Sequence, residues 1–160
     1  MNLFDHEHGK RRMSRRVLRG WCAADFAAAR EGQGLSVQDL ARMADIGQST
    51  IHAWEAGRYT PQVDLLAKVM KILQTPIDRV VKVPVEDRYP GDWRVVKGMT
   101  QPELAAKAGI ATTSLRGIER ADIGLTDANA AALAKLLDIP AEQYRAAYQR
   151  ARQRPPGTSV

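Results

Sequence analysis

A single register shift constrains this chain more than any other feature. Adding 64 to a residue number returns the same residue type at Arg30/Arg94, Gly34/Gly98, Leu40/Leu104, Ala41/Ala105, Ala44/Ala108, Ile46/Ile110 and Glu55/Glu119. The offset holds without a gap to Ala67/Ala131, Lys71/Lys135, Leu73/Leu137 and Pro76/Pro140. Similar residues pair between them, as in Ser36/Thr100, Thr50/Ser114, Ile51/Leu115 and Val69/Leu133. So long a constant register means two copies of one supersecondary unit. A chain of 160 residues has room for one medium domain or two small ones, and the repeat selects two.

In the first copy, Ser36 is a good N-cap, and Leu40, Ala41 and Ala44 follow on one helical face. Asp45-Ile46-Gly47 breaks that pattern. A second short helix is predicted from about Gln48 to Ala56, with Ile51 and Trp54 facing inward and Gly57 at C′. Upstream, a helix is predicted from Ser14 through Leu18, Cys22, Phe26 and Ala29 to the glycines Gly32 and Gly34, with Cys22 as a small buried hydrophobe. Downstream, Arg58-Tyr59-Thr60-Pro61 reads as a loop, and the next helix buries Leu65, Leu66, Val69, Met70 and Leu73. A short last helix opens on Thr75-Pro76 and ends about Val81.

The second copy repeats this plan with changes. Pro90-Gly91 restarts its first helix, Trp93 takes over a core contact, and Ala121-Asp122 stands where Gly57-Arg58 stood. Its last helix runs from Pro140 to about Arg152. The predicted division is a basic flexible arm over 1–13, a first domain over 14–81, an extended linker over 82–88, a second domain over 89–152 and a disordered tail over 153–160.

Abundant Ala and few β-branched or aromatic runs favour an all-α fold. One cysteine excludes an internal disulfide framework and any multi-cysteine metal site, and suits a cytoplasmic protein. No apolar run approaches the roughly 18 residues of a membrane span. The net charge of +6 admits nucleic acid as a partner. The charge is uneven: Lys10, Arg11, Arg12, Arg15, Arg16 and Arg19 face only Asp5 and Glu7 in residues 1–20, whereas 21–86 is close to neutral and 87–160 is again basic. No phosphate-binding glycine loop, metal cluster or nucleophile with a base is present, so an enzyme is not expected and no cofactor is implied.

With these residues in place, the sequence resembles the phage Cro and repressor-type (XRE-like) helix-turn-helix family, present twice. The first copy carries the pattern as Arg30, Gly34-Leu35-Ser36, Leu40-Ala41, Ala44, Ile46, Ile51, Trp54-Glu55, Gly57 and Pro61. The second carries Arg94, Gly98-Met99-Thr100-Gln101, Leu104-Ala105, Ala108-Gly109-Ile110, Leu115 and Glu119. The resemblance implies two tandem lambda-repressor-like five-helix domains joined by a short extended linker. It also implies that Arg30/Glu55 and Arg94/Glu119 are structural ion pairs, not catalytic groups.

For double-stranded DNA, the resemblance places the contacts on the exposed side of each second motif helix: Gln48, Ser49, His52 and Ala53, then Thr112, Thr113, Arg116 and Gly117. Gln pairs bidentately with adenine and Arg with guanine, which makes Arg116 the leading base reader. Arg58 and Tyr59 are candidates to clamp the backbone, with Arg120 as a looser counterpart. Gln101 stands where the family often has a DNA-contacting Gln, whereas the first copy has Val37 there. Helix starts near Ser36 and Thr100 are expected to anchor phosphates. The arm residues Lys10, Arg11, Arg12, Arg15 and Arg16 are expected along phosphates or in a minor groove.

Two functions remain open on this reading. One is a sequence-specific transcriptional regulator, most simply a repressor, that reads an asymmetric site while associated with the nucleoid. The other is a protein-interaction, oligomerisation or antitoxin-like module. Its partner, or a second copy of the chain, would meet the last helix at Tyr144, Tyr148 and Ala151.

Overall fold

A computed structural model describes residues 17–160. Among these residues the chain forms nine α-helices and no strand beyond one isolated bridge between Trp21 and Val81. The first unit holds α1 (Ala23–Gly32), α2 (Val37–Ala44), α3 (Gln48–Glu55) and α4 (Val63–Ile72), closed by a 3-10 turn at Ile77–Arg79. The second holds α5 (Pro90–Val96), α6 (Gln101–Ala108), α7 (Thr112–Glu119), α8 (Asp127–Leu136) and α9 (Ala141–Arg152). None of the described helices is long and apolar enough to cross a membrane.

Caps explain the matching boundaries. Ser36 Oγ accepts from the Asp39 amide at 3.0 Å, and Thr100 Oγ1 from Glu103 at 3.2 Å, each satisfying an otherwise unpaired first-turn donor. At the other ends the chain turns left-handed at repeat-related positions: Asp45 and Gly109, Gly57 and Ala121, Gln74 and Asp138 all have positive φ. Each unit has a core of its own, and Val95 of the second unit joins the first. Phe26, Leu40, Ile51, Trp54, Leu66, Met70 and Leu73 fill the first, and Leu104, Leu115, Ile118, Leu133, Leu137 and Tyr144 the second. Trp93 is buried in the second core as expected, while Ala29 only borders the first.

Five local expectations need correction. The first helix starts at Ala23, not at Ser14, and the part of that prediction before Val17 lies outside the described residues. Gly20 explains the late start. It sits at φ +79°, and a Cβ there would lie 2.8 Å from Lys82 O, so the chain crosses the connector closely before turning helical. Lys82 N donates to Gly20 O at 2.8 Å and Cys22 N to Val80 O at 2.7 Å, which spends these backbone groups on a long-range pairing. Cys22 is consequently the N-cap residue of α1 and half-buried, not a core residue on a helical stripe.

The last helix of the first unit is a single 3-10 turn, because Val80 and Val81 turn away to pair with Cys22 and Trp21. The connector is not extended throughout but contains a 3-10 turn at Val85–Asp87. The tail departs from the expected disorder at Arg154, whose Nη1 donates to Arg120 O at 2.6 Å and Ala151 O at 2.7 Å.

Candidate nucleic-acid interface

In each unit two eight-residue helices are joined by a tight left-handed turn. In the first, α2 ends at the left-handed Asp45, and Ile46 N returns to Ala41 O at 3.0 Å, which fixes the angle at which α3 departs. In the second, Gly109 takes the left-handed turn and Ile110 N returns to Ala105 O at 3.0 Å. Ile51 and Trp54 hold α3 to the first core, and Leu115 and Ile118 hold α7 to the second. The opposite faces carry Gln48, Ser49 and His52, and Thr113 and Arg116, all exposed, with Thr112 half-buried.

A charged fork ties each of these helices to the first helix of its unit. Arg30 Nε and Nη2 each reach a Glu55 carboxylate oxygen at 2.8 Å, while Nη1 donates to Leu35 O at 2.7 Å. The Glu55 carboxylate raises the Arg30 pKa above its ordinary value and keeps the guanidinium charged. Arg94 repeats the pattern, with Nε at 2.7 Å and Nη2 at 3.0 Å from Glu119, and Nη1 at 2.8 Å from Met99 O. This second pair is buried, with Arg94 at 8% and Glu119 at 5% exposure. Both forks are saturated by hydrogen bonds, which is the arrangement of a structural tie.

Three residues expected at DNA have other duties. Ala53 is buried, because the loop after α3 folds back on it and Arg58 N and Tyr59 N both donate to Ala53 O. Gly117 is covered in the same way: a Cβ there would lie 3.0 Å from Ile123, and Tyr148 Oη holds that loop by donating to Ile123 O at 2.8 Å. Gln101 Nε2 donates to Glu119 Oε1 at 2.9 Å, so this side chain extends the internal fork.

The remaining candidates lie at the surface. Arg58 and Tyr59 are exposed directly after α3. Arg120 is exposed but engaged, its Nε 3.2 Å from Asp122. Arg42, not singled out from the sequence, lines the same surface crevice as Gln38, Asp39, Gly47 and Gln48. It lies 3.4 Å from Asp39, whose carboxyl is held below its ordinary pKa by the Ser36 hydroxyl and then by Arg42 itself. Its place at the end of α2, just before the turn, was the signal available. Lys10, Arg11, Arg12, Arg15 and Arg16 lie outside the described residues. Tyr144, Tyr148 and Ala151, expected to offer α9 to a partner, are buried in the second core and unavailable for that purpose.

The geometry thus presents the same two-helix device twice, and one family model, described as Helix-turn-helix, matches residues 26–80 and again 92–144. The chain belongs to the helix-turn-helix family. This is a family of DNA-binding transcription regulators. No curated protein and no solved structure matches the chain. In each copy of the motif, α3 or α7 is the second helix, following α2 or α6 across the left-handed turn.

Proposed function

We propose that this helix-turn-helix protein is a transcriptional repressor that reads an asymmetric duplex site with α3 and α7 from one chain. The observation carrying this reading is that equivalent frames present different side chains. Gln48, Ser49 and His52 are exposed on one recognition helix, and Thr113 and Arg116 on the other. Base edges in the major groove distinguish such sets: Arg116 suits guanine O6 and N7, Gln48 suits adenine, and the hydroxyls suit bases or phosphates. Arg42, Arg58, Tyr59 and Arg120 supply the flanking backbone contacts, and the basic segment before Val17 adds attraction along the duplex. The protein would act on the nucleoid in the cytoplasm.

Selection of bound duplexes from a random pool, followed by sequencing, tests this reading. The expected product is two unlike half-sites separated by a constant distance, occupied by one chain. Recovery of a perfect palindrome bound by one chain would remove the asymmetric reading.

A further inference from the structure

The repeat provides an internal control for the surface between the two units. Where α1 has Ala28 and Glu31 exposed, α5 has Asp92 and Val95, both buried at the first unit. Val95 belongs to the core cluster of the first unit, not that of its own. Gly98 follows at φ +72°, and a Cβ there would lie 3.1 Å from Ala67 Cβ and 3.3 Å from Ile77 Cδ1. At Asp92 and Val95 the second unit departs from the first where it meets the first, and at Gly98 it keeps a glycine whose mate Gly34 has open space around it.

Polar contacts close the same seam. The Arg19 guanidinium pairs with the Asp92 carboxylate, donates to Asp87 O at 3.3 Å and stacks 4.3 Å over the Tyr89 ring. Asp92 also accepts from Tyr89 N at 2.8 Å, so one carboxylate caps α5 and receives Arg19. The connector is held from the other side as well. Arg88 stacks 4.4 Å over Trp93 and donates to Val83 O, and Arg150 of α9 donates to Arg88 O at 2.8 Å and Val85 O at 3.3 Å. A tether would leave these backbone groups to water, whereas here they are used as fasteners.

We propose that the two helix-turn-helix units form one rigid body, and that the seam of Arg19, Ala67, Val95 and Gly98 sets the half-site separation the chain accepts. The second clause rests on the proposed DNA reading; the first stands on the seam itself. Arg19 and Ala67 are then positioning residues for specificity although neither lies on a recognition helix. One inserted base pair turns the far half-site by roughly a tenth of a helical turn, which a rigid reader does not follow.

Two measurements decide this. Spin labels at Gln33→Cys and Gln143→Cys, in a Cys22→Ser background, report the distance between units in the full chain without DNA. A single narrow distribution is expected, widened by Arg19→Ala/Ala67→Arg and unchanged by Ala131→Arg, the same substitution at the exposed repeat mate. A broad distribution before any seam substitution overturns the rigid body. In the second measurement, one or two base pairs are inserted between the selected half-sites. Affinity of the unaltered protein should fall by about tenfold or more, and that of the seam variant far less. Equal tolerance in both overturns the spacing role. Failure to bind any duplex overturns the DNA reading and the spacing role with it, while the spin-label distances still judge the seam. Should the double variant not fold, Arg19→Ala alone replaces it in both measurements.

Discussion

Ala121 holds the left-handed backbone, φ +57°, that Gly57 holds at +71° in the other unit. An alanine thus occupies a turn for which glycine is the usual residue, and the helix end is preserved around it. The backbone of the repeat is more demanding than its side chains.

That relationship predicts the outcome of Gly57→Ala. A Cβ at Gly57 would meet nothing within 4 Å, so only the backbone penalty remains. Urea denaturation should show a loss of about 1 kcal/mol with an unchanged slope. A much larger loss would mean that the turn carries a constraint beyond φ.

The Glu119 carboxylate accepts from Arg94 twice and from Gln101 once, in a buried place. Arg94→Ala should therefore destabilise the protein by about 3–5 kcal/mol, because it leaves a buried charge without its partner. Arg30→Ala should cost less, since Arg30 and Glu55 are partly open to water. Gln101→Ala should lose about 1.5–3 kcal/mol of stability, the range for a hydrogen bond to a charged group. Chemical denaturation of the three variants would show whether this order holds.

Asp92 offers a pH test. Burial raises its carboxyl above the ordinary 3.8, outweighing the Tyr89 amide and Arg19, which lower it. A raised folded value means that the folded protein binds the proton more readily than the unfolded chain. Its contribution to stability is then complete below about pH 3.8 and is lost as the pH rises through the folded value. Asp92→Asn keeps the shape and cannot ionise, so its stability relative to the parent should improve from pH 3 to pH 7. Denaturation curves at several pH values would refute this if the difference stayed flat.

At the DNA face, Arg116→Ala should relax preference at one base pair and cost about 1–3 kcal/mol on the selected site. Removing residues 1–16 should instead weaken binding to all sequences and flatten the salt dependence. Titrations at two salt concentrations on selected and scrambled duplexes separate these effects.

Much of the architecture was readable from local chemistry. Ser36 and Thr100 announce helix starts, Gly57 a helix end, and Arg30/Glu55 and Arg94/Glu119 carry the family tie into both units. The errors have a common cause in contacts between residues distant in sequence or outside the helix. Ala53 and Gly117 lie beside exposed recognition residues, yet the following loops return to cover them. Gly20 ends the helical pattern because Lys82 lies against it, and Tyr144, Tyr148 and Ala151 form a helical stripe that fills the core of their own unit. A pattern of apolar spacing identifies a face to be buried; it does not identify what covers that face.

The shared left-handed turns have a consequence for redesign. Asp45 and Gly109 open the two recognition helices, and Gly57 and Ala121 close them, after equal lengths. Between them lie helices of eight residues, Gln48–Glu55 and Thr112–Glu119, whose outward positions are interchangeable while the inward ones are not, since Ala53 stands at the place of Gly117, where a Cβ would lie 3.0 Å from Ile123. Copying one outward set into both frames would turn a chain with two dialects into one that repeats a single word.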